Sequence, residues 1–289
     1  MFKNTINNLK LDILGECDID SLITLSESVG WDYDRDEIAT VMKSGKIVGH
    51  RNKYGQLVSS AAIIHYDTKL ASIGMVIVHK DYRGQGLGKQ TTQACLNLVP
   101  EQTAILLIAT TDGKPLYEKM GFIEVGSVTK FICTHYYVSD EPIDERYQIV
   151  QLENSDFEDV VKLDSEAFGD SRRGFLLNRM KQSKKSLVIK DGVGKIVGYA
   201  FSVIGPVNMI LGPIVAPNYK AATYLINQLA LNHIGSLRID IPLMDEKFMK
   251  WLENRGFEKV SQPPIMIKNS NSMPTRNNHL FGIAAQVFG

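Results

Sequence analysis

The sequence predicts a mixed α/β (α+β) fold built from two similar domains, and three observations predict it. An apolar β-type run over 70–78 leads into a glycine-rich turn and then an amphipathic helix. Two segments of the second half repeat segments of the first at nearly constant spacing. The chain has 289 residues, with 44% hydrophobic and 22% charged side chains, which suits two ordinary globular domains better than one.

Hydrophobic periodicity and turn residues predict the elements of the first half in order. The predicted elements are helices over 17–29 and 35–43, a hairpin of 45–51 with 57–66 around the turn 52–55, a strand over 70–78, a helix after residue 88 with Ala94, Cys95, Leu98 and Val99 on its buried side, a buried strand over 103–110, and a late strand or strand pair over 122–137.

The junction between the strand ending at Val78 and the following helix predicts an anion site. Its turn contains Arg83-Gly-Gln-Gly-Leu-Gly88. Glycines allow positive φ and close approach of the backbone, and the unpaired N–H groups of a first helical turn point at an anion. This geometry suits a pyrophosphate.

Two familiar phosphate loops fit these residues poorly. A nucleoside-triphosphate loop needs Gly five residues before its Gly-Lys pair and Ser or Thr after it, where this chain has Arg83 and Gln90. A dinucleotide loop needs G-x-G-x-x-G and an acid about 20 residues on, whereas the spacing here is G-x-G-x-G and the region near 106 is apolar. The coenzyme A loop of acetyltransferases requires Arg or Gln, two residues, Gly, one residue, then Gly or Ala. Arg83, Gly86 and Gly88 satisfy it.

A second motif follows about 30 residues later. Leu116-Tyr-Glu-Lys-Met-Gly-Phe122 comes after the predicted strand 103–110 and fits L-Y-x-x-x-G-F. With V-x-x-x-Y-R-G-x-G-L-G-K over 78–89, it makes the chain resemble the GNAT superfamily of N-acetyltransferases. The resemblance implies tandem GNAT folds, each a mixed, mostly antiparallel twisted sheet with helices on both faces and a splayed strand pair.

The resemblance also implies roles for residues in the first half. Strand 71–78 would splay from strand 103–110, so that the pantetheine arm of acetyl-CoA pairs with its exposed edge. A backbone N–H near Ile77 would polarise the acetyl carbonyl. Tyr117 would be the general acid for the leaving thiolate. The implied coenzyme contacts are Val76, Ile77, Val78, Arg83, Gly84, Gln85, Gly86, Leu87, Gly88, Lys89 and Thr110.

Other assignments remain open at this level. Thr110 stands where many members have Asn, which leaves one hydroxyl donor in place of an amide. Trp31 and Tyr33, with Asp32 between them, match positions that line the acceptor pocket, but they also fit a helix cap with core aromatics. No general base can be chosen, and a water chain is an alternative. The side chains considered for that role are His65, His79, Asp67, Glu27 and Asp34.

The second half repeats the first with altered chemistry. Val215-Ala-Pro-Asn-Tyr-Lys220 matches Val78–Arg83 and Trp251–Phe257 matches Leu116–Phe122, at offsets of 137 and 135. The glycine loop becomes Ala221-Ala-Thr-Tyr-Leu225, whose side chains would crowd a pyrophosphate. We therefore predict an active domain over 1–140 and a degenerate domain over 141–289 that helps to form the substrate site. The polar segment 139–146 is the predicted linker.

Composition argues against several classes of partner. The formal net charge is zero, so neither nucleic acid nor another polyanion is expected as a partner. Residues 1–8 lack the apolar core of a signal peptide, and no apolar run approaches membrane-span length. The three cysteines have neither metal nor disulfide spacing, so no metal is expected. These features favour a cytoplasmic monomer or homodimer.

The predicted function is an N-acetyltransferase that uses acetyl-CoA as co-substrate and a small-molecule amine as acceptor. A protein or peptide N-acetyltransferase is the alternative within the same chemistry, and a longer acyl donor also remains possible. A non-catalytic acyl-CoA sensor is the alternative of another class, although Tyr117 argues against it. The glycine spacing disfavours a nicotinamide enzyme.

Overall fold

The computed structural model describes residues 9–138, 144–242 and 245–289. Most of the predicted linker 139–146 and the whole N-terminal segment 1–8 lie outside these ranges. Among the described residues, no helix is long and apolar enough to cross a membrane. No group of three or more His, Cys, Asp or Glu side chains in the same ranges could hold a metal ion.

The first half contains the elements that the sequence predicts, with small shifts at their ends, and one further strand, β1, that was not predicted. Its strands are β1 (Lys10–Leu14), β2 (Gly45–Arg51), β3 (Leu57–His65), β4 (Leu70–Val78), β5 (Ala104–Ile108), β6 (Ile123–Ser127) and β7 (Thr129–Cys133). Its helices are α1 (Ile19–Glu27), α2 (Arg35–Ser44), α3 (Leu87–Leu96) and α4 (Lys114–Lys119). Leu98 is exposed, contrary to the prediction, because α3 ends before it at Leu96.

The second half repeats this order. Its strands are β8 (Gln148–Gln151), β9 (Lys185–Lys190), β10 (Ile196–Ile204), β11 (Asn208–Val215), β12 (Ser236–Ile241), β13 (Phe257–Ser261), β14 (Pro264–Lys268) and β15 (Leu280–Gly282). Its helices are α5 (Phe157–Phe168), α6 (Arg173–Gln182), α7 (Tyr219–Ala230) and α8 (Glu246–Asn254). The prediction of two copies of one mixed fold is confirmed.

The two sheets exchange one strand each. The first has the order β1-β2-β3-β4-β5-β14-β6 and the second β13-β7-β12-β11-β10-β9-β8. Strand β7 of the first half thus lies between β12 and β13 of the second half, and β14 of the second half lies between β5 and β6 of the first. The alternating run 122–137 is a strand pair in sequence, but β6 and β7 belong to different sheets. The division at residue 140 therefore separates the sequence motifs and not the sheets.

Each sheet is antiparallel except where β4 meets β5 and β11 meets β12, which run parallel. A continuous apolar core joins the two halves. It includes Leu22 and Ile38 from the first half and Phe168, Tyr199 and Phe288 from the second, all fully or almost fully buried. Because burial of apolar surface dominates folding free energy, the shared core fixes the halves against each other.

Candidate active site

The loop before α3 has the backbone geometry that an anion site needs. Gly84 and Gly86 have φ of +76° and +78°, where other residues are strained. Gly86 is the N-cap of α3, and the first helical bond runs from Gln90 N–H to its carbonyl at 3.1 Å. The earlier N–H groups of this first turn have no partner inside the helix and carry the positive end of its dipole.

Strands β4 and β5 separate next to this loop. Their parallel pairing runs from Leu70 with Ala104 to Ile73 with Leu107 and then stops, although β4 continues to Val78. A bulge marks the point of separation, since Met75 has φ of +51° and the register of β4 against β3 shifts there. The Ser60 hydroxyl donates to the Met75 carbonyl at 2.8 Å and holds the bulge from the β3 side.

The pairing of β4 with β3 shows which backbone groups face the gap. His79 N–H donates to the Val58 carbonyl at 2.9 Å, and Ile77 is in register with Ser60. Successive residues of a strand direct their N–H groups to opposite edges. Ile77 and His79 therefore point toward β3, and Val78 points into the gap. A backbone donor to an acetyl carbonyl, expected near Ile77, would therefore come from Val78 or from Val76 on the same edge.

A cleft of 490 Å³ joins the glycine loop, the free edge of β4 and the start of α4. The predicted coenzyme contacts Val76, Ile77, Val78, Arg83, Gly84, Gly86, Leu87, Gly88, Lys89 and Thr110 all line it. Gln85 does not, and its side-chain oxygen is buried without a hydrogen-bond partner among the described residues. At Gly88, an added Cβ would lie 3.6 Å from Val78 and 3.4 Å from Leu116, within the cleft wall.

Tyr117 also lines this cleft and is only 7% exposed. It lies on α4, and its ring packs edge-on against Phe122 at 5.9 Å. Burial, with a smaller contribution from Cys95, raises the pKa of its phenol above the ordinary value. The hydroxyl therefore keeps its proton at neutral pH. Within residues 9–138, 144–242 and 245–289 it has no hydrogen-bond partner, so it is free to donate into the cleft.

A second cavity of 220 Å³ adjoins the cleft. The two share the bulge at Gly74 and Met75, together with Trp31, Ile108 and Thr110. The Thr110 hydroxyl oxygen accepts from Gly113 N–H at 3.1 Å, and its own proton remains available. Trp31 and Tyr33, the predicted acceptor-pocket residues, thus both line this second cavity. Trp31 also lines the cleft beside the glycine loop.

The second half forms one side of this cavity. Its wall includes residues 203–206 at the end of β10 and just after it, Asn208 and Ile210 of β11, and the C-terminal residues 285–287. Val287 packs so tightly against Gly74 that a Cβ there would lie 2.5 Å from its nearest methyl carbon. Glycine at position 74 therefore lets the C-terminal segment approach the bulge.

Of the five side chains considered as general base, Asp34 alone lines the cavity. Its carboxylate caps α2 by accepting Glu37 N–H at 2.7 Å. Burial first, and then the neighbouring Glu37 and Asp36, raise its pKa despite that bond. Asp32 is a second carboxylate on the same wall and is exposed. His65, His79, Asp67 and Glu27 line neither the cleft nor the cavity.

Two cations of this cavity were absent from the sequence-based assignment. Lys130 lies on the exchanged strand β7 and Arg238 on β12. Pairing of β7 with β12 sets Lys130 opposite Asp240, and Arg238 lies two residues before Asp240 on the same face. The spacing of Arg238 and Asp240 in the apolar strand Ser-Leu-Arg-Ile-Asp-Ile was the available signal. The approach of Lys130 depends on strand exchange, which no local pattern indicates.

The corresponding cleft of the second half is filled by the chain itself. Strands β11 and β12 pair from Asn208 to Ile210 and then separate, and β15 fills the gap by pairing with Ile214 and Val215. The N-terminus of helix α7 is capped as well, because the Asn218 side chain accepts the N–H of Ala221 at 3.0 Å. The residues over 221–225 are buried, so no open anion loop forms there.

Comparison with known proteins agrees with this architecture. Models of the acetyltransferase (GNAT) domain match residues 31–132 and 160–282. The uncharacterized N-acetyltransferase YitH of Bacillus subtilis (strain 168) is 34% identical over 277 residues, which cover 96% of this chain and 97% of the relative.

Solved structures share the fold at low sequence identity. A putative acetyltransferase from Pyrococcus horikoshii has a TM-score of 0.81 at 18% identity and covers 100% of this chain and 99% of its own. A tandem GNAT protein from the clavulanic acid biosynthesis pathway has a TM-score of 0.66 at 14% identity, covering 91% and 99%. Together with the tandem sheets, these matches establish that the chain belongs to the GNAT family as a two-domain N-acetyltransferase.

Proposed function

We propose that the enzyme transfers the acetyl group of acetyl-CoA to a primary amine of a small molecule by direct attack. The observation that carries this proposal is the junction at Met75, where a cleft with a coenzyme-type loop meets a cavity of 220 Å³. A donor in the cleft and an acceptor in the cavity would meet at the β4 bulge. Holding both reactants in this way lowers the entropic part of the barrier.

The donor fits the first half through backbone groups. The free N–H groups at the start of α3 would bind the pyrophosphate, with Arg83 and Lys89 adding positive charge. The free edge of β4 would pair with the amides of the pantetheine arm as an added strand does. Gly84 and Gly86 suit this arrangement, because their positive φ angles allow the tight turn and they have no side chain that would obstruct the pyrophosphate.

The transfer forms one C–N bond and breaks one C–S bond. The amine nitrogen attacks the thioester carbon, and the carbonyl oxygen gains negative charge. The N–H of Val78 or Val76 would stabilise that charge; such preorganised donors contribute about 3–4 kcal/mol. Collapse of the intermediate releases the thiolate, which takes the proton of Tyr117. The nitrogen loses its proton to Asp34 or to water, and solvent restores the phenol.

The walls of the cavity favour a small acceptor over a protein. Residues of the first half, residues 203–206 and the C-terminal segment 285–287 line it. A peptide acceptor requires an open groove for extended backbone, whereas this cavity is bounded on the side of the second half. We accordingly assign the catalytic and coenzyme-binding role to 1–140 and a share of the acceptor site to 141–289.

Thermal stability with and without ligand gives the first test. Acetyl-CoA should raise the melting temperature with concentration, since ligands that bind only the folded state stabilise it. Binding should saturate at one molecule per chain, because β15 fills the second cleft. Stabilisation by NAD without any by acetyl-CoA would contradict the proposal.

Release of free thiol in the presence of amines gives the second test. An acetyltransferase should release coenzyme A in proportion to acetylated amine, above the rate without acceptor. A panel of amino acids, amino sugars, polyamines and short peptides would separate small from peptide acceptors. Tight acetyl-CoA binding with no amine-dependent thiol release would instead favour an acyl-CoA sensor.

A further inference from the structure

We infer that the acceptor amine carries an anionic group, a carboxylate or a phosphate, which Arg238 and Lys130 bind in the second-half wall of the cavity. This inference deepens the proposed function and rests on it for the position of the amine. It follows from how the two cations are held and from the carboxylates that share the cavity with them.

Arg238 is fixed at one end and open at the other. Its Nε donates to Asp240 Oδ2 at 2.8 Å, and its side chain is 14% exposed. Asp240 is fully buried and also accepts from the Gln286 side-chain amide at 3.2 Å. Within the described ranges, the two Nη groups of Arg238 have no hydrogen-bond partner and are not sealed from solvent. Such a fork matches the geometry of a carboxylate or phosphate.

Arg172, a structural arginine of the same chain, shows a different pattern. The Arg172 guanidinium, fully buried, donates through Nε and Nη2 to Asp164 at 2.7 Å and 2.9 Å and through Nη1 to the Phe288 carbonyl. That pattern satisfies the group on all sides and leaves nothing for a ligand. Arg238 has only its Nε end satisfied, and its other end lines a cavity. This contrast is typical of a binding residue.

Lys130 adds a second positive charge on the same face of the sheet. It is half-buried and makes neither a hydrogen bond nor an ion pair with any residue that the structure describes. Burial and the nearby Arg238 lower the pKa of its amine. Asp240 pairs with one edge of Arg238 and lies opposite Lys130 in the sheet, so it offsets part of this positive charge. The Nη groups of Arg238 and the ammonium of Lys130 still keep N–H donors that no carboxylate of the described residues contacts, and a bound carboxylate or phosphate would accept from them.

The same cavity also contains carboxylates. Asp32 and Asp34 lie in the segment that follows Trp31, and Trp31 also reaches the donor cleft. Glu37 lines the cavity too, but the Arg179 guanidinium and the Gln182 amide donate to it. Asp32 lies close enough to Arg238 and Lys130 to favour their charged forms, whereas Asp34 is not among the groups that act on either cation. An amine near Asp34 and an anion on the free donors of Arg238 and Lys130 fit this arrangement.

Matched acceptor pairs test the inference with the full-length chain. 4-Aminobutyrate against n-butylamine tests the carboxylate, and glucosamine 6-phosphate against glucosamine tests the phosphate. We expect kcat/KM to favour the anionic member of at least one pair by tenfold or more. Lys130→Met should reduce that ratio at least tenfold through KM for the acceptor, with KM for acetyl-CoA unchanged. Lys259→Met, on the neighbouring strand and exposed, is the control and should change neither.

A binding measurement separates failure of this inference from failure of the proposed function. Trp31 lines the cavity, so its fluorescence should respond to the anionic amines without acetyl-CoA, and Lys130→Met should weaken the response. Arg238→Lys, which keeps a charge beside Asp240, should weaken it too. Equal response and equal turnover for anionic and neutral amines would overturn the inference. Anion-dependent binding without thiol release would support the anion site and contradict the proposed acetyl transfer.

Discussion

Replacement of Tyr117 by Phe is the sharpest test of the proposed chemistry, because the structure separates its packing from its hydroxyl. The ring packs against Phe122, and the hydroxyl has no hydrogen-bond partner among the described residues. Tyr117→Phe therefore removes no internal hydrogen bond, and we expect the free energy of unfolding to change by less than about 0.5 kcal/mol. Loss of a general acid typically costs 10²–10⁴ in rate. Burial raises the pKa of Tyr117 and makes the phenol a weaker acid, so the lower end is expected.

The expected result is a fall of about 100-fold in kcat, equivalent to about 2.7 kcal/mol of activation free energy, with little change in KM for acetyl-CoA. Thiol release under saturating acceptor measures it. Tyr54→Phe, in an exposed turn, is the matched control. The phenol is active when protonated, and its pKa lies above the ordinary value of 10. Titration of Tyr117 should therefore cause no loss of wild-type kcat at any pH up to 10. Undiminished turnover of Tyr117→Phe across pH would refute the assigned role.

Two further predictions concern the loop and the core. Gly86→Ala should cost about 1–2 kcal/mol of stability, because φ of +78° is unfavourable for alanine, and should raise the Kd for acetyl-CoA at least tenfold. Calorimetry measures both quantities. The control is Gly192→Ala, where the added methyl group meets open space, and it should change neither. Arg172→Ala leaves the buried Asp164 carboxylate without its counter-charge, with the Tyr199 hydroxyl still donating to it, and should destabilise the fold by about 3–5 kcal/mol in urea unfolding, whereas the exposed Arg173→Ala should cost less than about 0.5 kcal/mol. A loss for Arg172→Ala as small as that for Arg173→Ala would contradict the assigned weight of this ion pair.

Local sequence patterns were sufficient to predict the side of the candidate site that would bind acetyl-CoA. The loop glycines, the strand before them and Tyr117 follow one another within about 50 residues, and their geometry depends on turn chemistry and strand pairing that short-range sequence encodes. The resemblance then supplied the roles. The same reasoning placed Leu98 inside, because it continued the apolar pattern past Asn97 and Pro100, which are the stop signals that end α3 at Leu96.

The acceptor side could not be predicted in the same way. Lys130 sits in an alternating strand and looks like an ordinary outward-facing residue until β7 pairs with β12 of the other half. Gln286 and Val287 reach the cavity only because the C-terminal segment crosses between the sheets. These contacts join residues more than 100 positions apart, and no periodicity specifies which sheet a strand will join.

Strand exchange and the closed second cleft also explain why one copy can lose its loop without becoming dispensable. The pair β11 and β12 separates as β4 and β5 do, but β15 satisfies the open edge that a pantetheine arm would otherwise use. The chain that fills this gap continues into Ala285–Val287, which forms one wall of the acceptor cavity and packs on Gly74. Closing the second cleft and lining the cavity beside the first cleft thus depend on the same C-terminal segment. Separating the halves would remove β14 from the first sheet, so the half for which we propose catalysis needs the other half to complete both its sheet and the proposed acceptor site.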